Sequence, residues 1–192
     1  MSVDIIKDMG HSVNARLKTM AGQRKVGFDY LLLRYAYERF LFRLGQSAHA
    51  SRFILKGACA FSVWFGPMFR VTRDTDFLCH GNPSPEHLVQ CFRDICSTEV
   101  PEDGVHFDAD SIVTSEIKKD AKYRGTRVVF NARIQNARVT LQFDVGFGDS
   151  VYPEAIVEEY PRGEKTDTPL CFMSTVGYFI CSRGKPCICV YI

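Results

Sequence analysis

The sequence predicts an α+β fold: a small mixed β-sheet packed against N-terminal helices. Three observations predict it. Apolar residues recur at helical spacing in the first quarter of the chain. Short apolar runs bounded by glycine and proline follow them. Near residue 140 the pattern changes to strict alternation, the period of a half-buried strand.

Residues 4–21 and 28–44 read as helices. The second is marked by Phe28, Leu31, Leu32, Tyr35, Phe40, Leu41 and Leu44, with arginines between them and Gly45 as a stop. Phe53-Ile54-Leu55 reads as a short strand that ends in a tight turn at Lys56-Gly57. The apolar run Ala58 to Phe65 then reads as a short helix ended by Gly66-Pro67. Thr75 to Cys79 is a strand. Ser84 caps a helix that has Pro85 at its first position and runs to about Cys96. The acidic segment 98–110 reads as a loop, and Ser111 to Ile117 as a strand. Arg127 to Ile134 and Arg138 to Val145 form a hairpin about Gln135-Asn136-Ala137. In its second strand Val139, Leu141, Phe143 and Val145 share one face, which puts Asp144 on the polar one. From Pro161 onward the sequence shows neither period. The expected organisation is therefore a core over 1–160 and an irregular tail over 161–192.

With 192 residues the chain can bury one good hydrophobic core, and 46% apolar with 24% charged residues is ordinary for a globular protein. No apolar stretch approaches the roughly 20 residues of a membrane span. The N-terminus lacks a signal-peptide core, so the expected location is the cytoplasm. The net charge of +2 is unevenly spread: residues 1–60 hold ten Lys/Arg against four Asp/Glu, the remainder fourteen against eighteen. A basic first third suits a polyanion such as RNA. The plainer alternative is that Arg34, Arg39 and Arg43 form the solvated face of a helix. Eight cysteines occur, four of them in the last 22 residues, but without a C-x-x-C pair. Neither a zinc site nor a disulfide framework is expected from that spacing.

The chemistry-bearing stretch runs through Lys56-Gly57-Ala58, then Arg70 to Phe77, then Gln142 to Val145. Asp74 and Asp76 form a D-x-D pair, whose carboxylates point to one face of a strand roughly 7 Å apart. With Asp144 from a neighbouring strand they make a hard oxygen donor set suited to Mg²⁺. Alone, D-x-D is also what a solvated strand edge looks like. Gly57 precedes a helix start, where backbone N–H groups receive phosphate, although an ordinary tight turn looks the same. Arg70 and Arg73 lie where either could contact phosphates or pair with the acids.

Taken together, these residues resemble the AbiEii/AbiGii toxin family of nucleotidyltransferases, within the polymerase-β-like superfamily. That family's signature is a lysine and two small residues, a short helix, then R-x-S/T-x-D-x-D-F. Here it stands as KGACAFSVWFGPMFRVTRDTDF, residues 56–77. The family's third acid resembles Asp144 in LQFDVGFGD. The resemblance covers about Gly27 to Tyr160. It implies a sheet of nucleotidyltransferase type and transfer of an NMP from an NTP to an acceptor, with tRNA or another RNA expected. It also implies two Mg²⁺ ions on Asp74, Asp76 and Asp144, and phosphates held by Lys56, Gly57, Ala58 and Arg70. A toxin role opposed by an antitoxin protein follows from the same likeness.

Two departures stand against it. Ala58 replaces the usual Gly or Ser. The family's helical C-terminal domain, with its A-E-K segment, finds no counterpart, so the tail is expected to be its remnant, truncated or out of frame. The alternative function is then a crippled fragment that binds RNA or antitoxin without turnover. A phosphodiesterase using the same carboxylates stays open on residue type.

Overall fold

Each helix forms where its apolar stripe can close over one side of a sheet. The computed structural model describes residues 9–56, 74–120, 123–148, 174–180 and 186–191. Helix α1 spans Met9–Arg24 and α2 spans Phe28–Gln46. Ser47 ends α2, its backbone N–H donating to the Leu44 carbonyl at 3.0 Å. Helix α3, Pro85–Cys96, begins as its sequence predicts, with the Ser84 hydroxyl accepting from the His87 N–H at 3.2 Å. Its buried residues Leu88, Cys91, Phe92 and Ile95 fall at helical spacing and meet the core.

The strands are β1 (Phe53–Lys56), β2 (Thr75–Cys79), β3 (Val105–Asp120), β4 (Tyr123–Ile134), β5 (Ala137–Phe147), β6 (Ser174–Ile180) and β7 (Pro186–Tyr191). They form one mixed sheet in the order β3-β4-β5-β2-β1-β7-β6. Neighbours run antiparallel except β2 and β5, which run parallel. All three described helices contribute to a single core, with Leu55, Phe77, Val128, Phe143 and Val145 from the sheet. Phe40 lies at its centre, its ring 4.5 Å from that of Phe143 and 5.3 Å from that of Phe92. Tyr37 ties α2 to β5: its hydroxyl donates to the Gln142 carbonyl at 3.0 Å and accepts from the Gln142 N–H at 2.9 Å. Gln142 lies one residue ahead of the first β2–β5 partners, Thr75 and Phe143. The tyrosine thus satisfies backbone groups that β2 has not yet reached.

Three expectations need correction. The segment 98–110 is not all loop, because β3 begins at Val105. Val105 and Phe107 are buried while His106 faces solvent. That alternation is hidden in the sequence by a register shift between Asp108 and Val113. There the Ser111 hydroxyl donates to the Asp108 carbonyl at 2.7 Å and accepts from the Asn131 N–H at 2.9 Å.

Arg34, Arg39 and Arg43 are not a solvated face; all three are buried. Arg39 Nε donates to Asp103 at 2.6 Å and Arg43 Nη1 at 2.7 Å, while Arg34 pairs with Glu38 at 2.8 Å. Burial alone would raise the Asp103 carboxyl pKa, but the Arg43 hydrogen bond and the charges of Arg43 and Arg39 hold it below the usual range.

Finally, residues 174–180 and 186–191 are strands, not irregular chain, and β7 joins the sheet beside β1 at Lys56. Val, Ile, Tyr and Phe give both segments strand propensity even though no clean alternation advertises it.

Candidate active site

The parallel pairing of β2 with β5 builds the site, because it sets Asp76 directly beside Asp144. Pairing of β1 with β2 places Lys56 on the other side of Asp76. Pairing of β4 with β5 places Arg127 on the other side of Asp144. Lys56, Asp76, Asp144 and Arg127 therefore form one row across four strands, each step roughly 4.8 Å. Their chain neighbours Leu55, Phe77, Phe143, Val145 and Val128 belong to the helix-covered core. By strand alternation the row lies on the opposite face. Asp74 sits one residue ahead of β2 and is half-buried.

Arg127 grips Asp144 with both arms. Its Nε donates to Oδ1 at 2.8 Å and its Nη2 to Oδ2 at 2.9 Å. The Arg127 pKa is pushed up, first by this hydrogen bond and further by the charges of Asp144, Asp74 and Asp76. All three aspartates therefore act on one guanidinium. An open cleft of about 340 Å³, counting space continuous with solvent, is lined by Lys56, Asp76, Asp144, Gly125, Gly146 and Ile117, among others. Gly125 packs closely in the cleft wall, since a Cβ there would come 3.2 Å from the Val145 carbonyl oxygen.

The structure thus brings together Lys56, Asp76 and Asp144, with Asp74 close enough for its charge to reach Arg127. Gly57, Ala58 and Arg70 lie outside the described residues. The carboxylate oxygens match a hard divalent cation such as Mg²⁺ in donor type. Among the described residues, no three His, Cys, Asp or Glu side chains converge on a metal position as they stand. Asp144 turns both of its oxygens to the arginine instead.

Arg127 is the residue of this row that sequence reasoning missed, and a signal for it existed. A three-residue turn at 135–137 would set Asp144 opposite Val128. The actual turn uses Gln135 and Asn136, with Gln135 at φ 55°, and Ile134 pairs with Ala137. That one-residue difference brings Arg127 opposite Asp144 and onto the same face.

A family model described as nucleotidyl transferase AbiEii toxin, type IV TA system, matches residues 39–176, more than half of the chain. The chain belongs to the AbiEii nucleotidyltransferase toxin family. Its matched span contains every residue of the row described above. Two solved structures from Helicobacter pylori are similar to this AbiEii-family chain. One is a protein provisionally assigned as a nucleotidyltransferase, at 17% identity and a TM-score of 0.46, with 68% of this chain and 51% of that one covered. The other is JHP933, at 19% identity and a TM-score of 0.44, with 66% and 47% covered. The chain spans about half the length of these two structures. No curated protein matches it.

Proposed function

We propose that this AbiEii-family protein transfers a nucleoside monophosphate from an NTP to an acceptor, with RNA, and tRNA in particular, as the acceptor class. The observation that carries this reading is the in-register placement of Asp76 beside Asp144, flanked by Lys56 and Arg127 on the face opposite the described helices. Asp74, Asp76 and Asp144 would hold two Mg²⁺ ions, which supply charge neutralisation on the triphosphate and activation of the attacking hydroxyl. Asp144 would hold the ion nearer that hydroxyl and would help to deprotonate it. Lys56 or Arg70 offsets the triphosphate charge, with Gly57 and Ala58 cradling the phosphates. Such a transfer needs chiefly positioning and charge stabilisation, and these residue types provide both.

The family supports a role as a toxin countered by an antitoxin protein, acting in the cytoplasm where NTP and RNA meet. Among the described residues no helix is long and apolar enough to cross a membrane. For the acceptor, Lys18, Arg24 and Lys25 are exposed on or next to α1, with Arg16 half-exposed beside them. With Arg34, Arg39 and Arg43 buried, these four form the basic cluster of the first third that is left to meet RNA phosphates. Residues 1–160 carry the proposed site, while β6 and β7 of 161–192 extend its sheet beside β1, so a chain ending at Arg162 should show a lowered Tm.

The test is Asp76→Asn. Mg²⁺-dependent NTP binding should vanish while the circular-dichroism spectrum and Tm stay those of the parent. Unchanged binding in the folded variant would remove the assignment. The engagement of both Asp144 oxygens by Arg127 favours one second reading, a chain that binds RNA or antitoxin without turnover. It predicts RNA binding with no labelled product from any NTP.

A further inference from the structure

The Arg127–Asp144 pair has an asymmetry that bears on how the site fills. Asp144 is 8% exposed at its side chain and is fixed in the sheet, whereas the Arg127 side chain is 38% exposed. Of the two, the arginine is the member with room to move. Both carboxylate oxygens are engaged by its fork, so no oxygen of Asp144 is left without a guanidinium donor. A divalent cation approaching Asp144 meets a positive charge already seated there.

Resting on the nucleotidyl-transfer reading above, we propose that Arg127 guards Asp144. In the nucleotide-free protein its guanidinium holds the carboxylate against a lone cation, and it leaves Asp144 for the phosphates of an incoming triphosphate. Three features support the exchange. A guanidinium fork matches phosphate oxygens as well as a carboxylate, so Arg127 trades one bidentate anion for another. Asp76 stands beside Asp144 in the strand register, and a guanidinium on Asp144 relieves the repulsion between the two carboxylates. The cleft reaches Gly125, two residues before Arg127 on the same face of β4, where the glycine adds no side chain of its own beside the arginine and Ile117 forms the neighbouring wall.

The consequence is coupling. A cation alone must displace Arg127 with nothing to receive it, whereas a cation arriving with a triphosphate brings the new partner. Cation and triphosphate therefore each strengthen the other's binding.

The experiment is isothermal titration of the full chain with Mn²⁺ alone, and separately with preformed Mn²⁺–inorganic triphosphate, which avoids any base preference. The parent should bind the complex much more tightly than the bare ion. Arg127→Met should bind bare Mn²⁺ about fivefold more tightly, the value of an exposed ion pair, and bind the complex more weakly. Arg127→Lys, which keeps the charge and most of the size but not the fork, should fall between the two. Unchanged or weakened Mn²⁺ binding in both folded variants would overturn the guard. Asp76→Asn separates the two levels: if Mn²⁺ binding survives that change, the nucleotidyl-transfer site itself fails. If Mn²⁺ binding is lost there while the Arg127 variants match the parent, only the guard fails.

Discussion

Two arginine–aspartate clusters lie on the two sides of this protein, and their chemistry differs only in company and exposure. Beneath the helices, Asp103 is enclosed by Arg39 and Arg43 from α2 and accepts the Val105 N–H at 3.0 Å. The side chains of that cluster are 9% exposed or less. On the open face, Asp144 meets one arginine that is 38% exposed, with Asp74 and Asp76 close enough to act on it. In the first cluster two cations serve one anion and water is shut out. In the second, three aspartates share one cleft with Arg127 and Lys56, and the pair at Asp144 is reached by solvent through the arginine. The same ion pair is a staple in one place and part of the proposed site in the other.

The largest effect should come from breaking the staple. Asp103→Ala leaves two buried guanidiniums without their carboxylate, and should cost about 3–5 kcal/mol in urea unfolding. The Tyr37 hydroxyl is next. Tyr37→Phe strands a backbone N–H and carbonyl at Gln142, and should cost about 1–3 kcal/mol in the same assay. Acid sharpens the contrast further. The folded-state pKa of Asp103 is depressed, so its contribution is fully present above the unfolded value near about 3.9 and is lost as pH falls through the lower folded value. In Asp103→Asn this part of the acid dependence of Tm should disappear. Asp144→Asn should behave in the opposite way to Asp103→Ala: stability should shift by less than about 1 kcal/mol, because its partner is exposed, while Mg²⁺-dependent NTP binding is lost. The smallest effect belongs to the basic surface. Reversing Arg16, Lys18, Arg24 and Lys25 together should weaken RNA binding and flatten its salt dependence, each lost phosphate contact lowering the slope by somewhat under about one unit. Binding of NTP should not change. An unaltered RNA titration would turn the acceptor from RNA to protein.

The two clusters also differ in how far the sequence revealed them. The placement of Asp76 and Asp144 on neighbouring strands was legible because strand alternation is a local pattern, and the helices of the core were legible for the same reason. Asp103 was not, because its partners lie 60 and 64 residues away and the segment around it carries the polarity of a loop. Arginines at helical spacing look solvated until a distant carboxylate is known to cover them. Arg127 was nearly legible: the hairpin was recognised, but its register depends on whether the turn has two residues or three. Strands β6 and β7 were missed because their apolar residues do not alternate.

The central claim is that the open face carries out nucleotidyl transfer. Each α-labelled NTP would be incubated with the protein, Mg²⁺ and total RNA, beside folded Asp76→Asn as control. The account predicts label transferred to an RNA band by the parent with at least one NTP, and none by the variant. Equal labelling by parent and variant, or none by a parent that binds Mg²⁺–NTP, would contradict it.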